Sequence, residues 1–292
     1  MNNSERKNIF FLHLTHLNLK SCSYQIDDNI TFCKSENTDE LKAYEDFCVR
    51  TGFHDSEPYC FNTHILICDN AEYYMHYFYE SESIITRILT TIVYNVESPL
   101  GLVTAIQFFN NLKSINWFQD IYNEYQVFDI LNPSCTIEIT EPKIEKIKQS
   151  WKNESNLSQN RVSLALSSFN NAWRCYSLDQ MCMHLSITIE SLFSPSTNNE
   201  ISHQIAYYVC QFLGDNSKEK ENIYRDFKTF YKVRSSIVHG DYPNQNILDD
   251  IVPKIFQYTC KILQKIIINE TLIEKFSNKK GFDELVKQWL FK

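Results

Sequence analysis

Ten residues, YKVRSSIVHG at 231–240, carry an arginine and, five positions later, a histidine. The guanidinium of Arg234 presents a fork of permanently charged donors that suits a phosphate or a carboxylate. The imidazole of His239 titrates near neutrality and can pass a proton. Acid–base work on a phosphodiester needs both kinds of group. The same ten residues also end a helix pattern on Gly240, so a second reading stands beside the first. In it, Arg234 is a structural ion-pair partner, and His239 caps the last carbonyls and complements the negative helix end.

A helical wheel separates the two side chains. Advancing about 100° per residue from Ile223 places Ile223, Phe227, Phe230, Ile237 and Val238 within about 40–60° of one line, which predicts a buried stripe. Arg234 falls at about 20°, inside that stripe, and His239 at about 160°, beside Arg225, Lys228 and Lys232. Burying a bare guanidinium is prohibitive, so Arg234 needs a carboxylate, the surface of a second subunit or a bound phosphate. Glu190 is the first candidate partner, with Asp179 and Glu200 behind it. Tyr231 lies at the edge of the stripe, as a core ring or a stacking platform for a base. Lys228 and Lys232 read as a solvated face or as contacts to phosphates.

These side chains need helices to hold them, and the second half of the chain supplies the pattern. Apolar residues recur at steps of three and four over 157–176, 177–193, 200–213 and 217–239, which predicts four helices. Gly214 and Gly240 end the last two. Met183 and Ile187 add apolar positions on a second side of the 177–193 helix, so it is expected to be buried on two faces. A fifth helix is expected from Pro253 to Asn269, with proline in its first turn, and a short sixth is expected at FDELVKQWLFK.

The first 145 residues look mixed. SYQIDDNITFC at 23–33 reads as strand, turn and strand about Asp27-Asp28-Asn29. A helix is expected over 38–50 with Thr38 as its N-cap, a strand at 64–68, and helices within 71–95 and 100–113. Asn132-Pro133-Ser134 and Glu141-Pro142-Lys143 punctuate the chain before the bundle. The expected division is a smaller α+β N-terminal domain over 1–145 and a helical bundle over 146–292, mostly α overall.

Bulk properties set limits. Of 292 residues, 43% are hydrophobic and 22% charged, and only 5 are glycine. That is a globular composition, poor in the glycines that phosphate loops and tight hairpins use. No apolar run reaches the roughly 18 residues of a membrane span. The N-terminus reads as a strand with no signal peptide. Ten cysteines include no CxxC pair, which points to buried thiols in a reducing cytoplasm and away from zinc. His13 and His16 read as outward histidines of a strand. The net charge of −8 divides into +3 over residues 215–292 and −11 over 1–214, so any attraction for a polyanion is local to the C-terminal quarter.

The second half resembles the Apea-like HEPN family over about residues 155–270. Four blocks in order carry the resemblance: RVSLALSSFNNAW at 161–173, the helix ending TIESLF at 193, Glu200 with ISHQIAYYVCQFLG, and YKVRSSIVHG. The resemblance implies a helical bundle that dimerises through the 217–240 helix and forms a composite site from two subunits. It implies a metal-independent endoribonuclease without a cofactor. Arg234 would orient and neutralise the scissile phosphate, and His239 would assist proton transfer at the ribose 2′-OH or the leaving oxygen. A 2′,3′-cyclic phosphate would be left. Ser235 stands where the family's nucleases often have Asn, Asp or His, and with Glu190 and Tyr231 it is a supporting residue. The implied setting is bacterial antiphage defence or a toxin-like system, with RNA as substrate and an antitoxin or defence-system protein as candidate partner. The alternative is a catalytically silent HEPN module for dimerisation and partner or nucleotide binding.

Overall fold

The computed structural model describes residues 8–15, 17–34, 63–69, 84–98, 101–109, 114–120, 137–194 and 201–290. The helix expected at 38–50, residues 71–83, His16 and Glu200 lie outside them. Within the described residues the chain is mostly helical, with its strands confined to the N-terminal region.

Strand β1 (Asn8–Thr15) is flanked by β5 (Thr63–Asp69) and β6 (Gly101–Phe109), both antiparallel to it. With β3 (Ser23–Gln25), β4 (Ile30–Lys34) and β7 (Ser114–Asp120) they form a six-stranded sheet of order β3-β4-β5-β1-β6-β7. The β3–β4 turn forms where the polar triplet placed it. Asp27 Oδ1 accepts from the backbone N–H of Asn29 at 2.8 Å and of Ile30 at 2.9 Å, a local side-chain turn that aspartate favours. A separate parallel pair joins β2 (Leu17–Leu19) to β8 (Ile137–Ile139).

One expectation fails here. The apolar run at 100–113, read as helix, contains strand β6. A short apolar run does not reveal its own period. Pairing with β1 and β7 decides the matter, and its β-branched and aromatic residues suit a pleated surface.

Helix α1 (Ile84–Val96) is enclosed by helices. It packs against α2 (Glu141–Glu154), α3 (Arg161–Trp173) and α7 (Gln245–Ile267), and Ile88, Ile92, Val93 and Tyr94 are fully buried. The 145 position falls inside α2, whose Pro142 occupies the first turn. There proline starts a helix, because the N–H it lacks has no intrahelical partner in any case. Trp151 of α2 donates its indole N–H to Asp27, tying the β3–β4 turn to the helices.

The bundle continues with α4 (Leu178–Phe193), α5 (Ile201–Leu213), α6 (Ser217–Val238), α8 (Glu270–Ser277) and α9 (Lys279–Leu290). Phe169 stacks on Phe256 at 5.5 Å, and Phe193 meets Phe212, Phe276 and Phe282 edge-on. Three further expectations change. Helix α7 begins at Gln245, eight residues before Pro253, which sits inside it. Burial of Leu248, Ile251 and Val252 holds the added turns in place. Helix α8 was not expected, although Asn269 caps it by accepting from Leu272 N at 3.1 Å. Helix α4 is buried on one face only: Met181, Leu185 and Ile189 are enclosed, whereas Ile187 is 41% exposed.

Candidate functional site

Helix α6 is fixed at both ends. Asn216 caps its start by accepting from Glu219 N, and the Glu219 carboxylate accepts from Asp215 N, each at 3.0 Å. This is a reciprocal cap in the manner of a capping box. At the other end Gly240 adopts φ +80°, a conformation that glycine takes without steric cost. The Gly240 N–H then donates to Ile237 O at 3.1 Å and the Asp241 N–H to Ser236 O at 2.9 Å. That pair of bonds is a Schellman closure. It makes His239 the C-cap residue, with its ring exposed.

Between the caps, Ile223, Phe227, Phe230, Tyr231 and Val233 bury one face. Ile237 is half-buried, and Val238, expected in the stripe, is 48% exposed. The stripe thus fades in the last turn of the helix.

Arg234 meets the partner its position demanded. Its Nη2 lies 3.8 Å from Glu190 Oε1 on α4, and the two side chains are 33% and 29% exposed. Burial pushes the Glu190 carboxyl above its usual range, against the pull of the Arg234 charge. At this distance and exposure the pair is loose, and the guanidinium is only partly satisfied: Arg234 Nε is buried with no hydrogen-bond partner among the described residues. The end of α4 that carries Glu190 is clamped by Arg161. Its Nε donates to Ser191 O at 2.7 Å, and its Nη2 donates to Leu192 O at 3.0 Å and Ser194 O at 3.1 Å.

Two further groups face this pair. Tyr231 is 8% exposed and belongs to the core, and its hydroxyl has no hydrogen-bond partner among the described residues. Burial first, then the Glu190 charge, raises its phenol well above the ordinary value, so it stays a neutral hydroxyl. Cys182, which sequence reasoning did not single out for this site, is fully buried on α4. Its thiol is pushed up to about 12 by burial, with Arg234 opposing and Asp179 adding to the rise. It is a protonated space-filler and no nucleophile, since the thiolate is the reactive form. Its place, two turns before Glu190 on the same helix, was the available signal.

The other expected residues are spread out. Ser235 and Lys232 are exposed, and Lys228 is half-buried. Asp179 is not the partner of Arg234. It lies in the first turn of α4 and lines a cavity of about 560 Å³ with Tyr176, Ile237, Gly240, Tyr242 and Leu248. Tyr242 is fully exposed and Tyr176 is 59% exposed. Within one chain, then, Arg234, Glu190, Tyr231 and Cys182 come together, while His239 stands apart at the helix end. Among the described residues no group of three or more His, Cys, Asp or Glu side chains could hold a metal ion, and no helix is long and apolar enough to cross a membrane.

Compared with known proteins, the chain matches no protein-family model, no curated protein and no solved structure.

Proposed function

We propose that the chain is a metal-independent endoribonuclease of HEPN type, acting as a dimer in the cytoplasm with a composite site of Arg234 and His239. The carrying observation is the under-satisfied guanidinium. Arg234 is held half-buried beside a single carboxylate at 3.8 Å, with a buried Nε that bonds to no described residue. A phosphate oxyanion is a better partner for that fork than the loose carboxylate. His239, exposed at the C-cap, is free to act as proton carrier. Their separation along one helix is the reason for a second subunit, whose α6 would bring its histidine to the arginine of the first.

In this reading Arg234 neutralises the scissile phosphate, and His239 assists removal of the 2′-OH proton or protonates the leaving oxygen. A 2′,3′-cyclic phosphate results. Glu190 holds Arg234 in place until the phosphate arrives, Tyr231 packs beneath it, and Ser235 is a nearby polar helper. Lys228 and Lys232 meet the RNA backbone. The exposed rings of Tyr176 and Tyr242 flank the cavity at the end of α6 and offer faces on which bases can stack. The biological setting proposed is antiphage defence or a toxin-like system, with an antitoxin or defence partner protein.

Purified wild type, His239→Ala and Arg234→Ala should be incubated with single-stranded RNA in a chelator, with 3′ ends identified by mass and subunit number measured by light scattering. Wild type should be dimeric and leave cyclic phosphates, and either variant should lose at least about 100-fold in rate. Undiminished cleavage by His239→Ala would overturn the assignment. A dimeric wild type that never cleaves RNA would leave the silent dimerisation and binding module in its place.

A further inference from the structure

A second polar cavity, away from Arg234, is built by α1, the end of α2 and α3. Its volume is about 750 Å³, and its lining includes Arg87, Thr90, Glu154, Ser163, Ser167 and Asn170, with three leucines. That size is ordinary for a small-molecule site. Arg87 and Glu154 are the charged residues of the lining.

The two charges are not equally available. Glu154 is 7% exposed, and Thr91 and Tyr94 both donate their hydroxyls to its Oε1. Burial raises its carboxyl to about 7, with those hydroxyls and the Arg87 charge opposing the rise. Arg87 is half-buried, lies 4.7 Å over the Trp151 ring and donates from Nη2 to Ser155 Oγ at 3.3 Å. Near neutrality the lining therefore carries a full cation and only part of an anion. Deeper in, Asn170 is 2% exposed. Its Oδ1 accepts from Thr90 at 3.0 Å, while its buried Nδ2 has no partner among the described residues.

We propose that this cavity binds a small hydroxylated organic oxyanion, with its acidic group on Arg87 and its hydroxyls among the serine, threonine and asparagine side chains. A cation is disfavoured by Arg87, and a wholly apolar ligand would strand the lining hydroxyls and amides. Bound beside Glu154, the oxyanion favours the protonated carboxyl, so binding takes up a proton. Arg87 and Tyr94 on α1 are the titratable groups set against Glu154. The lining residues of α3 are neutral, as are Gln264 and Ile267, the α7 residues bonded to α2. This site does not depend on the ribonuclease reading.

Calorimetry on the full chain with D-glucose 6-phosphate, D-gluconate and inorganic phosphate tests the proposal. One or both hydroxylated probes should bind saturably and more tightly than inorganic phosphate. Binding of the sugar phosphate alone identifies a phosphoryl group as the anion, and binding of gluconate alone a carboxylate. Arg87→Gln should weaken binding by roughly tenfold or more, as expected for loss of a charge-assisted contact. Ser167→Leu, which fills the half-buried wall, should abolish it. Wild-type affinity should rise roughly tenfold from about pH 8 to about pH 6, and Glu154→Gln should remove that dependence. Failure of both hydroxylated probes to bind, or equal binding by Arg87→Gln and Ser167→Leu proteins with wild-type melting temperatures, would overturn it.

Discussion

Two glutamates in this protein each sit near an arginine, and their settings differ. Glu190 is 29% exposed, with Arg234 at 3.8 Å and a buried tyrosine hydroxyl nearby that bonds to no described residue. Glu154 is enclosed, and its Oε1 accepts two hydroxyls. Burial raises both carboxyls, and for the enclosed one the rise reaches about 7. The contrast separates two ways of holding a carboxyl. Burial keeps the enclosed carboxyl near the point of titration, whereas a cation beside a part-exposed carboxyl opposes the rise and stays exchangeable. The first arrangement suits a group that gains or loses a proton, the second an arginine that must change partners.

The largest expected effect breaks the comparison at its enclosed end. The folded chain holds the Glu154 proton more tightly than the unfolded chain, raising the carboxyl from 4.5 to about 7. Native protein therefore binds the extra proton between these values, and stability falls as pH rises through the window. Glu154→Gln should match wild type below the window and exceed it above by up to about 3 kcal/mol, at about 1.4 kcal/mol per unit. Urea unfolding across that range measures it, and parallel curves for the two proteins would refute the assignment.

A pair of tyrosines gives the next test. Tyr94→Phe removes a donor from buried Glu154 and should cost about 1–2 kcal/mol at neutral pH. Arg234→Ala removes a loose, one-third exposed pair and should cost less than about 1 kcal/mol. A loss of several kcal/mol in thermal unfolding would show instead that Arg234 is chiefly a structural group. The smallest effect belongs to Tyr231→Phe. Its hydroxyl bonds to no described residue, so the variant should be neutral or gain up to about 0.5 kcal/mol. A cost equal to that of Tyr94→Phe would erase the distinction between the two sites.

Legibility followed the range of the forces involved. Periodicity of about 3.6 revealed α3, α4, α5 and α6, and the charge on the α6 stripe led to Glu190, which is what Arg234 meets. A local signal was misjudged at Pro253, which lies within α7, since tertiary burial outweighs one missing hydrogen bond. Strand β6 was not legible as a strand because a short apolar run does not reveal its own period, and its pairing with the distant β1 leaves no local signal. The Glu154 cavity gave no sequence signal, as it joins a residue at 87 to others at 154 and 170.

By itself the sequence determined a mostly helical protein with a small α+β N-terminal part, the helix carrying Arg234 and His239, and the need of Arg234 for a carboxylate. Those follow from side-chain periodicity and from the cost of burying a charge, both set within a few helical turns. Tertiary structure alone decided that the Tyr231 hydroxyl bonds to no described residue, that one face of α4 is part-exposed, and that Arg87, Glu154 and Asn170 share a cavity. Such facts depend on which helices pack together and how far apart, a matter of the whole core that no local pattern encodes.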